Sequence, residues 1–165
     1  MKTKTQKLVL SAMLAALVCV TTMIVKIPSP FQGYLNLGDC IVLFCGWVLS
    51  PVYGFFAAGI GSALADLFSG YLVYAPATFL IKGVMALIAC KGFQLASGKI
   101  GHQPARLISG FVAEILMVLG YFVFEGFLYS FPAVVVNIPA NGMQGLAGLV
   151  LGTLLIRIFE KRQMK

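Results

Sequence analysis

The sequence predicts an all-α integral membrane protein, a single membrane domain over residues 1–165 made of six transmembrane helices. Two observations support this class. Apolar residues make up 60% of the chain and charged residues 10%, whereas a soluble domain has roughly 45–50% and about 25%. In addition, the apolar residues form runs that Pro, Gly and polar turns separate. At about 20 residues per span, a chain of this length has room for roughly six spans.

Each predicted helix ends where residues that break helices begin. The first ends at Lys26 and the 27–30 turn, and the second, which is short, ends at Ser50-Pro51. The third is followed by the 69–71 turn. A polar loop over 97–106 follows the fourth, and a connection over 132–139 follows the fifth. The predicted helices cover about 8–25, 37–49, 52–68, 77–95, 107–128 and 140–159.

The basic residues predict the orientation, because Lys and Arg concentrate in cytoplasmic segments. With both termini in the cytoplasm, all of the 12 bases lie on that side except Lys26 and Lys82. Lys26 then lies at the outer end of the first helix, and Lys82 a little more than one turn into the fourth. The opposite orientation would translocate nearly all the bases, so the sequence predicts both termini inside.

Several chemistries are not indicated. The net charge of +7 comes from termini and one loop, not from the continuous basic surface that a nucleic-acid binder needs. The four cysteines form no C-x-x-C pair, and His102 is the only histidine, so neither a disulfide framework nor a metal site is expected. No phosphate-binding G-x-x-x-x-G-K-[ST] motif occurs. We therefore predict no cofactor, no ATP hydrolysis by the chain and no enzyme.

Polar side chains gather at the outer ends of the predicted helices. Four of the five acids lie in or beside apolar runs, where a carboxylate needs a partner or a ligand. Residues three, four or seven apart share a helix face, so Tyr121 and Glu125 form one stripe and Asn141 and Gln144 another. The predicted substrate-binding residues of this outward-facing cup are Asn36, Asp39, Asp66, Tyr74, Lys82, Tyr121, Glu125, Asn137, Asn141 and Gln144.

Structural roles compete with binding at these positions. Asp66 and Lys82 are expected to form an ion pair between helices, with a structural role and a ligand-contacting role both open. Asp39 is expected to act more as a helix cap or loop anchor. Glu125 has no evident protein partner in the sequence and is expected to contact ligand. Glu114 lies alone near mid-membrane, where we expect it to be protonated and bonded to a neighbouring helix.

Small residues on the first helix predict a close helix contact. Ser11, Ala12, Ala15 and Ala16 form small-x-x-x-small pairs, which let membrane helices approach each other. Such a face packs either within the bundle or against a partner protein.

The chain resembles the substrate-binding (S) subunits of energy-coupling factor (ECF) transporters, closest to the riboflavin group, which includes hydroxymethylpyrimidine and vitamin B6 subunits. The resemblance spans about residues 8–160. The segments that carry it are Gly33 to Asp39, Pro51 to Gly54, Gly59 to Leu67, Tyr74-Ala75-Pro76 and Ile81-Lys82-Gly83.

The resemblance implies a six-helix subunit of the prokaryotic plasma membrane that captures a vitamin at its outer face. It also implies association with a scaffold membrane protein and two ATPase subunits, with Ala12 and Ala16 matching the docking motif. Because the cup has acids and little free base, we favour a vitamin B6 form or hydroxymethylpyrimidine, with riboflavin as the alternative. A stand-alone channel or secondary transporter, and an intramembrane enzyme, are the competing hypotheses.

Overall fold

A computed structural model describes residues 3–28 and 34–163. Five long helices dominate it, together with a short helix, a single-turn helix and a two-stranded hairpin. In chain order the elements are α1 Lys4–Ile24, β1 Lys26–Pro28, β2 Tyr34–Asn36, α2 Gly38–Val48, α3 Pro51–Phe68, α4 Ala75–Ile100, α5 His102–Leu128, α6 Phe131–Val134 and α7 Asn137–Gln163.

The five long helices α1, α3, α4, α5 and α7 are long and apolar enough to cross a membrane. The helix α2 has 11 residues and, at about 1.5 Å per residue, is roughly 16 Å long. That is about half of the hydrocarbon core. The chain is therefore an all-α membrane protein with five candidate spans and one shorter apolar helix.

The predicted 97–106 loop is wrong. The helix α4 continues to Ile100 and α5 begins at His102, so that Gly101 alone separates them. Gly101 has φ +83°, a conformation that glycine adopts at no steric cost, and this lets two helices follow each other without a loop. Lys99 and His102 in this stretch are exposed, whereas Arg106 is buried. The polar residues therefore did not mark the end of a helix.

The connections at the opposite end contain structure that the sequence did not indicate. Between α1 and α2, Lys26 pairs with Asn36 in register and Pro28 with Tyr34, forming an antiparallel hairpin. The 132–139 connection contains the single turn α6, and Pro139 lies inside the first turn of α7, where a helix tolerates proline. The hairpin and α6 lie at the same end of the bundle.

The helix α2 packs at the centre of the bundle, in contact with α1, α3, α4 and α7. Val42, Leu43 and Cys45 on α2 are fully buried. Gly46 permits the approach of α4, because a Cβ there would lie 2.6 Å from the carbonyl oxygen of Ala86. Trp47 Nε1 donates a hydrogen bond to Ser109 Oγ on α5 at 3.2 Å. The short helix is thus a core element of the bundle.

The two ends of the bundle differ in charge. At one end, which we call the basic end, Arg106 of α5 forms a two-point ion pair with Glu160 of α7, with one bond at 2.8 Å. Beside it, Arg157 Nε donates to Gln103 Oε1 at 3.0 Å. The other end, which we call the cavity end, carries the hairpin, the C-termini of α3 and α5, and the N-termini of α2, α4 and α7.

Candidate ligand-binding site

A polar cavity opens at the cavity end, between the hairpin and the ends of α3, α4, α5 and α7. Its interior volume is about 40 Å³, within about 430 Å³ of empty space that includes its mouth. The interior has room for about three water molecules. A larger ligand would need lining side chains to move. The lining residues are Tyr34, Asn36, Asp66, Tyr71, Tyr74, Thr78, Tyr121, Glu125, Asn141 and Gln144.

Tyrosines form much of the wall. The rings of Tyr34 and Tyr71 have centroids 5.0 Å apart, and Tyr71 meets Tyr74 edge-on at 6.1 Å. Burial, and next the nearby Asp66 carboxylate, raise the pKa of Tyr34. Burial, and next a hydrogen bond with Tyr129, raise the pKa of Tyr74. Both phenols are therefore neutral at physiological pH and can donate or accept hydrogen bonds.

Asp66 lies at the cavity end of α3 and faces the hairpin. The hydroxyl of Tyr34 donates to its Oδ1 at 2.7 Å. Its other oxygen, Oδ2, is buried, and no donor among the described residues meets it in hydrogen-bonding geometry. Asp66 is 5% exposed, so one acceptor oxygen is left unsatisfied in the cavity wall.

The ion pair predicted between Asp66 and Lys82 is wrong, because Lys82 forms its ion pair with Asp39 of α2. Asp39 is fully buried, and Gln144 Nε2 donates to its Oδ2 at 2.7 Å. Lys82 Nζ also lies 5.4 Å from the centroid of the Tyr121 ring. The pairing follows from geometry, since α2 packs directly on α4 and points Asp39 at it.

The expected capping role of Asp39 is therefore corrected to that of a buried ion-pair partner. The N-cap of α2 is Leu37, which makes no side-chain capping bond. A second bond links this network to the cavity: the backbone N–H of Asn36 donates to Gln144 Oε1 at 2.9 Å. Gln144 thus connects the cavity wall to the charges beneath it.

Glu125 has protein partners, contrary to the expectation from sequence. Asn137 Nδ2 donates to its Oε2 at 2.9 Å, and the hydroxyl of Tyr74 approaches Oε1 at 3.5 Å. Glu125 is 4% exposed and Asn137 2% exposed. Asn137 lies beneath the wall and holds Glu125 in place, while Glu125 lines the cavity.

Glu114 makes no bond to a neighbouring helix, so that expectation is wrong for the described residues. Both of its carboxyl oxygens are buried without a hydrogen-bond partner. Its side chain packs against glycines of α7: a Cβ on Gly145 would lie 3.0 Å from Glu114 Oε2, and one on Gly148 would lie 2.9 Å from Oε1. Glu114 is not part of the cavity lining.

Most of the predicted residues meet in the cavity, and three lie just outside it. Asn36, Asp66, Tyr74, Tyr121, Glu125, Asn141 and Gln144 line the cavity, whereas Asp39, Lys82 and Asn137 support it from behind.

Tyr34, Tyr71 and Thr78 also line the cavity but were not among the predicted binding residues. In the sequence, Tyr34 follows one predicted turn and Tyr71 belongs to another, and this position could have indicated that both line the cavity. Tyrosine is, however, common at any membrane interface. Thr78 lies four residues before Lys82 and so on the same face of α4. Its Oγ1 accepts a hydrogen bond from the Tyr121 hydroxyl at 3.1 Å.

The fold and the cavity define a multi-pass α-helical membrane protein with a polar site at one end of the bundle. Residues 2–161 match the model of the family described as ECF-type riboflavin transporter, S component. The chain belongs to this family. It is therefore a substrate-binding subunit of an ECF transporter, located in the cell membrane.

Two further similarities cover nearly the whole chain. An uncharacterized protein of Pyrococcus woesei is 38% identical over 147 residues, which is 88% of this chain and 95% of that protein. A solved structure described as the S component of a bacterial ECF transporter is 25% identical, with a TM-score of 0.79. It covers 99% of this chain and 100% of its own.

Proposed function

We propose that this S component captures a small heteroaromatic vitamin or precursor, a vitamin B6 form or hydroxymethylpyrimidine, for uptake into the cell. The observation that carries the proposal is the cavity wall. It combines the rings of Tyr34, Tyr71 and Tyr74 with the amide groups of Asn141 and Gln144. Aromatic walls with a few converging polar groups are typical of sites for small ring compounds.

The size of the cavity favours these ligands over riboflavin, and its charge disfavours anionic ligands. The interior of about 40 Å³ requires side-chain movement even for a single ring, and a tricyclic ring would displace much more of the wall. Asp66 and Glu125 are the only charged residues of the described lining, which disfavours phosphorylated ligands. Riboflavin remains the alternative ligand because the matching family is described as ECF-type riboflavin transporter, S component.

In the proposed topology both termini are cytoplasmic and the cavity opens to the outside. The basic end then faces the cytoplasm, as the distribution of Lys and Arg favours. The helix α2 is the sixth membrane helix in this proposal. It is shorter than the bilayer core, but it lies among the longer helices of the bundle. At its N-terminus the backbone N–H of Gly38 donates to Asn36 Oδ1 at 2.9 Å.

The proposed partners are a scaffold membrane subunit and two ATPase subunits, which would supply the ATP hydrolysis for which this chain has no motif. Ser11 and Leu14 of α1 are buried in the bundle, whereas Ala12 and Ala16 are exposed on the opposite side. An exposed Ala-x-x-x-Ala face in a membrane lets another helix approach closely. This supports α1 as the docking helix.

Calorimetry on the detergent-purified chain tests ligand capture, with pyridoxine, hydroxymethylpyrimidine and riboflavin as ligands. We expect sub-micromolar binding of one of the first two. Asn141→Ala should weaken it about 3- to 10-fold, the effect of one lost hydrogen bond. Gln103→Ala, an amide removal at the basic end, should leave it unchanged. No binding below micromolar concentration by any of the three would contradict the proposal.

Uptake by cells tests the partners. Replacing Ala12 and Ala16 with leucine should abolish uptake while the purified variant binds ligand as the wild type does. Uptake that persists without any ATPase subunit would instead indicate a stand-alone channel or secondary transporter. Conversion of the ligand by the purified chain would indicate an enzyme.

A further inference from the structure

The cavity wall carries two carboxyl groups without a matching base. Asp66 and Glu125 line it, and no Lys, Arg or His of the described residues does. Both carboxylates are at most 5% exposed. Buried carboxylates that lack a cation are unfavourable unless something else supplies positive charge or donors.

The two nearest bases are occupied elsewhere. Lys82 forms its ion pair with Asp39. Lys26 Nζ donates to Ser69 Oγ and lies 5.2 Å from the centroid of the Tyr34 ring. Within the described residues, neither base forms an ion pair with Asp66 or Glu125.

Asp66 also has an unused acceptor. Its Oδ1 accepts from the Tyr34 hydroxyl, which fixes the orientation of the carboxyl group. Its Oδ2 is buried in the cavity wall and meets no donor of the described residues in hydrogen-bonding geometry, although the side chain of Thr78 interacts with the carboxyl group. A buried acceptor without a donor lowers the stability of the folded protein, so a ligand that brings an N–H to Oδ2 removes this cost.

The tyrosines add a second feature that suits positive charge. Tyr34, Tyr71 and Tyr74 form a continuous set of rings with centroid separations of 5.0 and 6.1 Å. The faces of aromatic rings attract cations, including those of ligands, within about 6 Å of the centroid. The three tyrosines line the same cavity as Asp66, and the Tyr34 hydroxyl donates to Asp66 Oδ1 at 2.7 Å.

We propose that the cavity binds its heteroaromatic ligand as a cation, with a positively charged N–H directed at Asp66 Oδ2 and the ring held among the tyrosines. This inference rests on the proposed function, since it assigns the charge of the ligand at the same site. It extends that proposal, which required only that the ligand not be anionic. A protonated pyridine ring or a protonated aminopyrimidine satisfies it, and riboflavin does not.

A matched ligand series tests the charge on the wild-type protein. Calorimetry on the purified chain compares pyridoxine with two analogues. The N-methylated form keeps the positive charge but has no N–H, and the analogue with C–H in place of the ring nitrogen has neither the charge nor the N–H. The same series is made on hydroxymethylpyrimidine. We expect the neutral analogue to bind at least tenfold more weakly than its parent, and the N-methylated form to bind more weakly than its parent because it has no N–H for Asp66 Oδ2.

Variants then assign the charge to Asp66. Asp66→Asn should reduce the preference for the parent over the neutral analogue about tenfold, with binding of the neutral analogue changed less than about twofold. Tyr34→Phe, which loses the hydrogen bond to Asp66 Oδ1, should reduce the same preference. Tyr53→Phe, on the helix that carries Asp66, should not. Because the ligand series needs no variant, a misfolded Asp66→Asn would leave the test intact.

The outcomes separate the two proposals. Equal binding of parent and neutral analogue would overturn the cation inference and leave vitamin capture standing. Binding of riboflavin alone would also overturn it. If neither parent bound, the proposed substrate class would fail and the cation inference with it.

Discussion

The buried pair of Lys82 and Asp39 gives the sharpest prediction about how this bundle is held together. Lys82→Met keeps the length of the side chain and removes its charge. Asp39 would then remain fully buried, with Gln144 as its remaining hydrogen-bond donor. The variant should therefore be much less stable than the wild type, because an uncompensated charge stays inside the bundle.

Removing one partner of a buried ion pair costs about 3–5 kcal/mol. For a domain of this size each kcal/mol lowers Tm by about 2–4 °C, so Lys82→Met should unfold roughly 6–20 °C below the wild type. The double variant Lys82→Met with Asp39→Asn carries no buried charge at either position. It should recover at least about 1 kcal/mol relative to the sum of the single variants, the coupling expected for residues in contact.

Thermal unfolding in detergent, followed by intrinsic fluorescence, measures these variants. A second double-mutant cycle, for comparison, combines Lys82→Met with Asp66→Asn. Because Lys82 forms its ion pair with Asp39 and not with Asp66, we expect an interaction free energy below about 0.5 kcal/mol in this cycle. A larger coupling of Lys82 to Asp66 than to Asp39 would refute this reasoning and restore the pairing expected from sequence.

Two further predictions concern packing and pH. Gly148→Ala should lower stability by about 1–3 kcal/mol in the same unfolding assay, because its Cβ would lie 2.7 Å from Asp39 Cβ. The control Gly142→Ala should not lower stability, because no atom lies within 4 Å of a Cβ there. Equal losses of stability in the two variants would contradict the packing of Gly148 against Asp39. Stability should fall as pH rises above about 10, because the raised pKa values of Tyr34 and Tyr74 keep both phenols protonated in the folded state while they ionise in the unfolded state. Tyr34→Phe should make that fall in Tm shallower, and an unchanged slope would contradict a contribution from Tyr34.

The sequence predicted that the polar residues of the site lie at one level of the bundle, because depth along a helix follows from simple rules. Helices rise a fixed distance per residue, and bases mark one side of the membrane. Polar residues that share that level and a helix face, such as Asn141 and Gln144, converge in the folded bundle. This is why most of the predicted binding residues line one cavity.

Pairings between helices were not predictable in the same way. Asp66 on α3 and Lys82 on the following helix, α4, lie near the same level. The sequence therefore favoured an ion pair between these two residues. The actual partner, Asp39, is 43 positions from Lys82, and only the central placement of α2 brings them together. Contacts of this kind depend on the rotation of each helix about its axis, which periodicity fixes poorly in a chain that is apolar on all sides.

The connections were the least predictable part. Polar residues around Gly101 indicated a loop, yet a single glycine suffices there. The hairpin of β1 and β2 has only three residues per strand, too few for an alternating pattern to be visible. It nevertheless places Tyr34 and Asn36 on the cavity. Asn36 was among the predicted binding residues, whereas Tyr34 was not.

Native mass spectrometry of the chain purified from cells tests the central claim most directly, because a tight ligand stays bound during purification. We expect a one-to-one complex whose released ligand is a small heteroaromatic compound, and the Asn141→Ala variant should retain less of it than Gln103→Ala. A chain that carries no ligand and takes up neither pyridoxine nor hydroxymethylpyrimidine when either is added would contradict the account.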